Sequence, residues 1–170
     1  MALEVEDGSG KTNAESYLSE ADADTYWSLR DSPAGWTDAT TTEKEAALRI
    51  ATEYIDGEYG GRWRGYRSNT DQALDWPRMS VADDDGILIS YSAIPARLEA
   101  ATAELAYRHL TETGGIMPDI SMPGGIQEYA VKAGPVEEKT VYTSGSQVKW
   151  YRKVDVLLRP YLTDANVVRG

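Results

Sequence analysis

Four short stretches carry residue types capable of chemistry. Gly8-Ser9-Gly10-Lys11-Thr12 ends like a phosphate-binding loop, in which backbone N–H groups and a lysine wrap phosphate oxygens. That loop needs a glycine five residues before Gly10 and a buried strand ahead of it. Val5 stands at that position and few residues precede it, so a turn is expected there. Asp83-Asp84-Asp85 offers oxygen ligands for a hard cation, but the calcium-loop spacing and its closing Glu are missing, so a solvated acidic turn is expected. His109 is the only imidazole and falls on or beside the apolar face of a helical segment, which suits packing. The fourth stretch, Arg62-Trp63-Arg64-Gly65-Tyr66-Arg67 with Trp76 and Arg78, interleaves cations and rings as single-stranded nucleic acid requires of a surface. The same composition serves the centre of a protein interface or a buried structural corner, and residues 57–78 carry a net charge of only +1.

Composition narrows the chemistry further. The 170 residues contain no Cys, which removes thiolate catalysis, disulfides and Cys-ligated zinc. No nucleophile stands near a recognisable base, so no enzyme, cofactor or metal is expected. Seventeen Lys and Arg against 28 Asp and Glu give a net charge of -11, which repels nucleic acid and anionic lipid at long range. Residues 1–56 hold 13 acids and four bases, so one part of the molecule is strongly acidic. There is no Phe, whereas Tyr contributes 11 residues and Trp five, so every aromatic carries a polar handle suited to boundaries and interfaces. No apolar run approaches the roughly 20 residues that span a bilayer, and the opening Met-Ala-Leu-Glu-Val-Glu-Asp has neither a basic start nor an apolar core, so neither membrane nor secretory leader is expected.

The elements that must position these residues are mainly helical. Ser19 and Asp22 resemble a capping pair for a helix to about Arg30. Thr42 and Glu45 read as a capping box for a second, with Ala46, Ala47, Ile50, Ala51, Tyr54 and Ile55 as its stripe and Gly57 as its C-cap. A third and longest helix starts at Pro95, carries Leu98, Ala101, Thr102, Leu105 and His109 on one face, and stops at Gly114-Gly115. One or two helical turns are expected over Asn69 to Leu74, and Asp85-Gly86 marks a turn between short apolar runs at Met79–Val81 and Ile87–Ile89. From Gly114 to Tyr151 six Gly and three Pro accompany loosely alternating Tyr129, Val131, Val136 and Val141, which predicts an extended arm. A short helix over Val154 to Leu162 ends the chain. The expected fold class is mainly α: one domain with a small helical bundle (about 16–113) around a long central helix, a short hairpin, a long extended arm (about 114–151) and a C-terminal helix (about 153–162). The arm is expected to order only in an assembly, since sparse apolar residues do not offset the ordering cost of about 1–2 kcal/mol per residue.

Several stretches together resemble a known family: Glu6-Asp7-Gly8-Ser9-Gly10-Lys11-Thr12-Asn13-Ala14, Ala21-Asp22-Ala23-Asp24-Thr25-Tyr26, Gln72-Ala73-Leu74-Asp75-Trp76-Pro77-Arg78, and Ile94-Pro95 leading into Ala101-Thr102-Ala103-Glu104-Leu105-Ala106. They look like the tailed-phage proteins called DnaT-like single-stranded-DNA-binding proteins, and the organisation is similar to the head–tail connector, or adaptor, proteins of long-tailed phages. The resemblance implies a structural virion protein: a ring of about twelve copies beneath the portal protein, joining the capsid's DNA exit to a downstream neck or tail-completion protein. Genomic DNA would pass through its lumen without specific binding, after assembly in the host cytoplasm. The alternative is a primosome-like module that binds single-stranded DNA. Residues expected at partner interfaces are Arg62, Trp63, Arg64, Tyr66, Arg67, Tyr129, Val131, Val136, Val141, Tyr142 and Trp150.

Overall fold

A computed structural model describes residues 2–117 and 150–163, together with the backbone of 128–133 and 136–141. The chain divides into two compact units, one formed by 1–117 with 151–170 and the other by 118–150, so the expected arm is a unit of its own.

In the first unit, Ser19 caps helix α1 (Glu20–Ser28) by accepting from the Asp22 N–H at 3.1 Å, and the helix turns Ala23 and Trp27 inward. A single turn, α2 (Ala34–Thr37), inserts Trp36 into the core with its indole N–H on Asp24 Oδ1 at 2.7 Å. Helix α3 (Thr41–Tyr59) departs from expectation at both ends. Its capping box is formed by Thr40 and Glu43, two residues earlier than the Thr42 and Glu45 pair, and Gly57 lies inside the helix. A Gly within a helix costs about 1 kcal/mol relative to Ala. Continuing past it carries Tyr59 into the core, on the stripe of Ala47, Leu48, Ala51 and Ile55, and burying that ring outweighs the cost.

Helix α4 (Ala96–Thr111) has Pro95 as its N-cap and packs against α1, α2, α3 and helix α5 (Arg152–Leu158). Leu98, Ala101, Thr102, Ala103, Glu104, Leu105 and Ala106 are all buried, so its middle is covered all round and it is the central helix. Small Ala side chains let its neighbours approach closely. Gly114 and Gly115, at φ +81° and +68°, turn the chain away after it, and half-buried His109 lies against Gly115.

Buried charges clip these helices together. Glu104 accepts from the Tyr26 hydroxyl at 2.7 Å and from Lys153, joining α1, α4 and α5, while Lys44 on α3 reaches Asp24 at 2.7 Å and Glu20 at 3.6 Å on α1. The Tyr151 ring ahead of α5 meets Tyr54 edge-on at 5.6 Å, with its hydroxyl 3.1 Å from Glu112. A 3₁₀ turn (Arg159–Tyr161) follows α5, replacing the last part of the expected helix.

Between α3 and α4 the chain is irregular. Asn69–Leu74, expected to be helical, is a set of turns held by Gln72, whose Oε1 accepts from the Asn69 N–H at 2.9 Å. Strands β1 (Tyr66–Arg67) and β2 (Arg78–Met79) pair antiparallel, and an isolated bridge joins Ala82 to Leu88 across the Asp83–Gly86 turn.

The second unit contains the antiparallel hairpin of β3 (Glu128–Ala133) and β4 (Val136–Val141). Its register pairs Tyr129 with Thr140, Val131 with Glu138 and Ala133 with Val136, which assigns Tyr129, Val131 and Val136 to one face. Val141, grouped with them by alternation, stands opposite Glu128 and falls on the other face, because the turn resets the parity of the second strand.

Two glycines separate backbone strain from crowding. Gly65 (φ +68°) and Gly86 (φ +80°) both occupy the left-handed region, but a Cβ on Gly65 would lie 2.1 Å from the Met79 carbonyl oxygen, whereas one on Gly86 meets nothing within 4 Å. Gly86→Ala should cost only the conformational term of about 1–2 kcal/mol. Gly65→Ala should cost clearly more, and equal urea midpoints for the two variants would contradict the close approach at Gly65.

Candidate interaction surface

The chain from Gly60 to Arg78 forms a tight corner whose two tryptophans point inward. Trp63 and Trp76 are 3% and 0% exposed, which withdraws both from any solvent-facing stacking platform. The Trp76 ring meets Trp63 edge-on at 5.7 Å and Tyr161 at 5.5 Å, and Tyr59 lies 6.0 Å from Trp63. The Trp76 N–H donates to the Tyr17 hydroxyl at 3.2 Å, and that hydroxyl donates to Asp56 Oδ1. Asp56 Oδ2 accepts from the Asp75 N–H at 3.1 Å. Gln72 Nε2 donates to the Leu74 and Pro77 carbonyls at 2.7 and 3.1 Å, bracing the cis Trp76–Pro77 peptide. Burial, reinforced by the neighbouring charge of Asp75, pushes the Asp56 carboxyl up to about 6 against the Tyr17 hydrogen bond. Burial also raises Asp75 and, with the Asp56 charge, Tyr17.

Three of the corner's four arginines donate to backbone carbonyls in and around it. Arg78 donates Nε to the Arg64 carbonyl at 2.9 Å, Nη1 to Asp75 at 3.1 Å and Nη2 to Gly65 at 2.9 Å. Arg64 Nη1 reaches the Pro160 and Ala82 carbonyls at 3.0 and 3.3 Å, and Arg67 Nη1 reaches that of Gln72 at 3.3 Å. Arg62 lies over the Tyr59 ring with its guanidinium carbon 5.5 Å from the centroid. Backbone bonds from Arg64 N to Tyr161 O (2.9 Å) and from Thr163 N to Arg62 O (2.7 Å) stitch the C-terminal segment to the corner. Spacing alone misses this role because it ranks guanidinium and indole by what they offer a ligand, and a buried carbonyl needs the same donors.

Beside the exposed Arg62 and Arg67, the corner presents an apolar strip outward. Tyr66 on β1 stands opposite Met79 on β2, and Ile87, Leu88 and Tyr91 follow beyond the acidic turn. These five are among nine large hydrophobic residues exposed in the described part of the chain, so apolar exposure concentrates on this ribbon. A pocket of about 350 Å³ opens beside it between Gly60, Gly61, Trp63, Gly65, Tyr66, Arg78 and Thr163. Of the sequence-derived candidates, the corner therefore brings together Arg62, Trp63, Arg64, Tyr66 and Arg67, with Tyr66 and the two arginines Arg62 and Arg67 at the surface. Tyr129, Val131, Val136 and Val141 belong to the hairpin, Trp150 is exposed, and Tyr142 lies outside the described residues. Met79, Ile87, Leu88 and Tyr91 were missed, although the Asp-Gly turn flanked by apolar residues was a signal for them.

The other two candidates close on themselves. Glu6, 2% exposed, places its carboxylate where a phosphate would sit, accepting from the Gly8 and Gly10 N–H groups at 2.9 Å and from Lys11 at 2.8 Å. Lys11 Nζ turns back to the Val5 carbonyl at 2.7 Å and to Asp7 at 3.3 Å. Gly8, at φ +97°, also packs so tightly on Ser92 that a Cβ would lie 2.3 Å from its carbonyl oxygen. At the acidic turn, Asp83 Oδ1 accepts from the Asp85 and Ile87 N–H groups at 3.0 and 2.9 Å. Among the described residues no group of three or more His, Cys, Asp or Glu is arranged to hold a metal ion, and no helix is long and apolar enough to cross a membrane.

The sequence profile of the family described as "Putative DnaT-like ssDNA binding protein" matches residues 1–170, and the chain belongs to that family. No curated protein and no solved structure matches it.

Trp76→Ala should cost about 3–5 kcal/mol in chemical denaturation, as other buried aromatic truncations do. If the variant instead keeps the parent's midpoint, the ring cluster does not hold the corner. The raised Asp56 value carries a definite sign. The native carboxyl keeps its proton up to about pH 6, whereas an unfolded aspartate loses it near about 3.9, so this group's contribution is present at about pH 4 and lost as pH rises through about 6. Measured against Asp56→Asn, the parent's relative stability should therefore fall between pH 4 and 6.5, and a flat difference would contradict burial of a protonated Asp56.

Proposed function

We propose that the chain is a non-catalytic structural adaptor of a tailed-phage head–tail neck, forming a ring beneath the portal and joining it to the next neck component. The observation that carries this reading is the division of labour in the corner. Its tryptophans and much of its guanidinium hydrogen-bonding capacity are spent inside one subunit, while Tyr66, Met79, Ile87, Leu88 and Tyr91 face outward. Aromatic and Met side chains outside and spent cations within fit protein partners better than a phosphate backbone. The net charge of -11 supports the same reading, since an acidic subunit around a DNA channel lets duplex slide without sticking. In this role the protein works in the virion neck and is assembled in the host cytoplasm, with the portal, further copies of itself and a downstream completion protein as partners.

The family's description favours a second reading, a module that binds single-stranded DNA. It would have to rely on Tyr66, Arg62 and Arg67, since Trp63 and Trp76 are buried.

Electron microscopy of the protein mixed with the cognate portal should reveal an added ring on the portal's outer end. An anisotropy titration with labelled oligonucleotide at about 150 mM salt should show no sub-micromolar binding. Tight oligonucleotide binding without any portal ring would replace the first reading by the second.

A further inference from the structure

The outer arm of the acidic turn is a strand edge that the fold leaves open. The Asp83 N–H donates to the Ile87 carbonyl at 3.0 Å and the Ile89 N–H to the Val81 carbonyl at 2.8 Å, on either side of the Ala82–Leu88 bridge. In an antiparallel pair, bonds so placed make Leu88 a non-hydrogen-bonded residue whose own N–H and C=O point away from residues 81–83. Among the described residues neither group has a hydrogen-bond partner, and the Leu88 side chain is 73% exposed. Elsewhere in the corner the chain supplies its own partner strand, residues 161–163 bonding to 62–64.

Natural sheets blunt bare edges with charges, proline or bulges. Residues 87–90 read Ile-Leu-Ile-Ser and carry no charge and no proline. The edge is held at both ends: Asp83 Oδ1 accepts from the Ile87 N–H at 2.9 Å, the Ser68 hydroxyl donates to the Tyr91 carbonyl at 3.0 Å, and Gly8 packs on the Ser92 carbonyl. A strand already fixed loses little entropy when another is added beside it. Charge then selects the occupant. Residues 79–95 hold three acids and no base, so two copies of this edge repel each other, and a chain of net charge -11 favours a basic partner over a further copy of itself. Arg64 lies 3.9 Å from Asp84, whereas Asp85, exposed at the end of the turn, makes no ion pair among the described residues.

We propose that an extended segment of a different, basic protein adds as a strand along residues 87–90, bonding the Leu88 N–H and C=O and setting a lysine or arginine against Asp85. Main-chain bonds supply the affinity of such a contact and alternate side chains its specificity. Ile87 and Ile89 offer one face to the added strand and Leu88 the other. The contact deepens the adaptor reading by stating how a neck partner is gripped, and it rests on that reading.

Two capped peptides probe the edge: Thr-Val-Thr-Val-Thr-Lys-Lys, and the same sequence ending in Glu-Glu. In amide exchange followed by NMR on the full chain, free Leu88 should exchange at surface rates, and about 1 mM of the lysine peptide should slow it at least about fivefold. Ile89, already bonded to Val81, should not change. Asp84→Lys with Asp85→Lys should reverse the preference, so that the glutamate peptide protects Leu88 instead. Leu88→Pro, which removes the N–H, should abolish capture of the lysine peptide, whereas Leu88→Thr, which keeps it, should bind within about threefold of wild type. Circular dichroism melts report whether each variant folds, and the comparison of the two peptides on the wild type stands if the proline variant does not. No protection by either peptide, equal protection by both, capture that survives Leu88→Pro, or protection of Leu88 by raised protein concentration alone, as a second copy would give, would overturn the contact. A portal ring with no peptide capture would remove this contact and leave the adaptor reading standing. Peptide capture with no portal ring would uphold the contact and remove the adaptor reading.

Discussion

The fold turns on one hydroxyl. Tyr17 sits between the Trp76 amide and the Asp56 carboxylate, and Asp56 in turn takes the Asp75 N–H. These bonds tie the N-terminal segment, α3 and the corner before the Trp76–Pro77 peptide into one buried network. In a low-dielectric interior such a network is stabilising only when every member is satisfied, because an unpaired amide or carboxylate there costs about 1–3 kcal/mol or more. The Trp76 ring beside it, packed on Trp63 and Tyr161, brings the C-terminal segment into the same cluster. Segments far apart in sequence thus depend on a site that, read as a string, resembles a ligand platform.

The conversion of a cation-and-ring motif into scaffold has a simple physical cause. Irregular backbone leaves carbonyls without ladder partners, and burying them requires donors. A guanidinium supplies five N–H groups in a fixed fork, and Arg78 alone serves the carbonyls of Arg64, Gly65 and Asp75. The glycine-rich stretch near the N-terminus follows the same logic with the sign reversed. There the loop presents N–H groups, and Glu6 supplies the anion from within the chain.

Elements governed by local rules were legible before the structure. The Ser19 cap, the Pro95 start of the central helix and its Gly114-Gly115 stop follow from hydrogen bonding and sterics within a few residues. The α3 start was misplaced by two residues because Thr40-x-x-Glu43 and Thr42-x-x-Glu45 both satisfy the capping pattern, and tertiary packing decides between them. Asn69–Leu74 was misjudged because Gln72 bonds backbone groups that a helix would have bonded itself. The candidate surface was half legible. Its aromatic residues were visible as a stretch, but which of them turn inward depends on Tyr17, Asp56 and Tyr161, contributed by distant parts of the chain.

The central claim is that the Trp76 corner belongs to the cooperative core, not to an exposed binding surface. Native-state hydrogen exchange of the Trp76 amide tests it most directly, since an N–H bonded to Tyr17 inside the core opens only with the whole fold. The account predicts an opening free energy for this amide equal to that of the slowest amides in the middle of α4, unchanged by added oligonucleotide. Exchange at the rate of surface amides, or protection gained only when oligonucleotide is added, would contradict it.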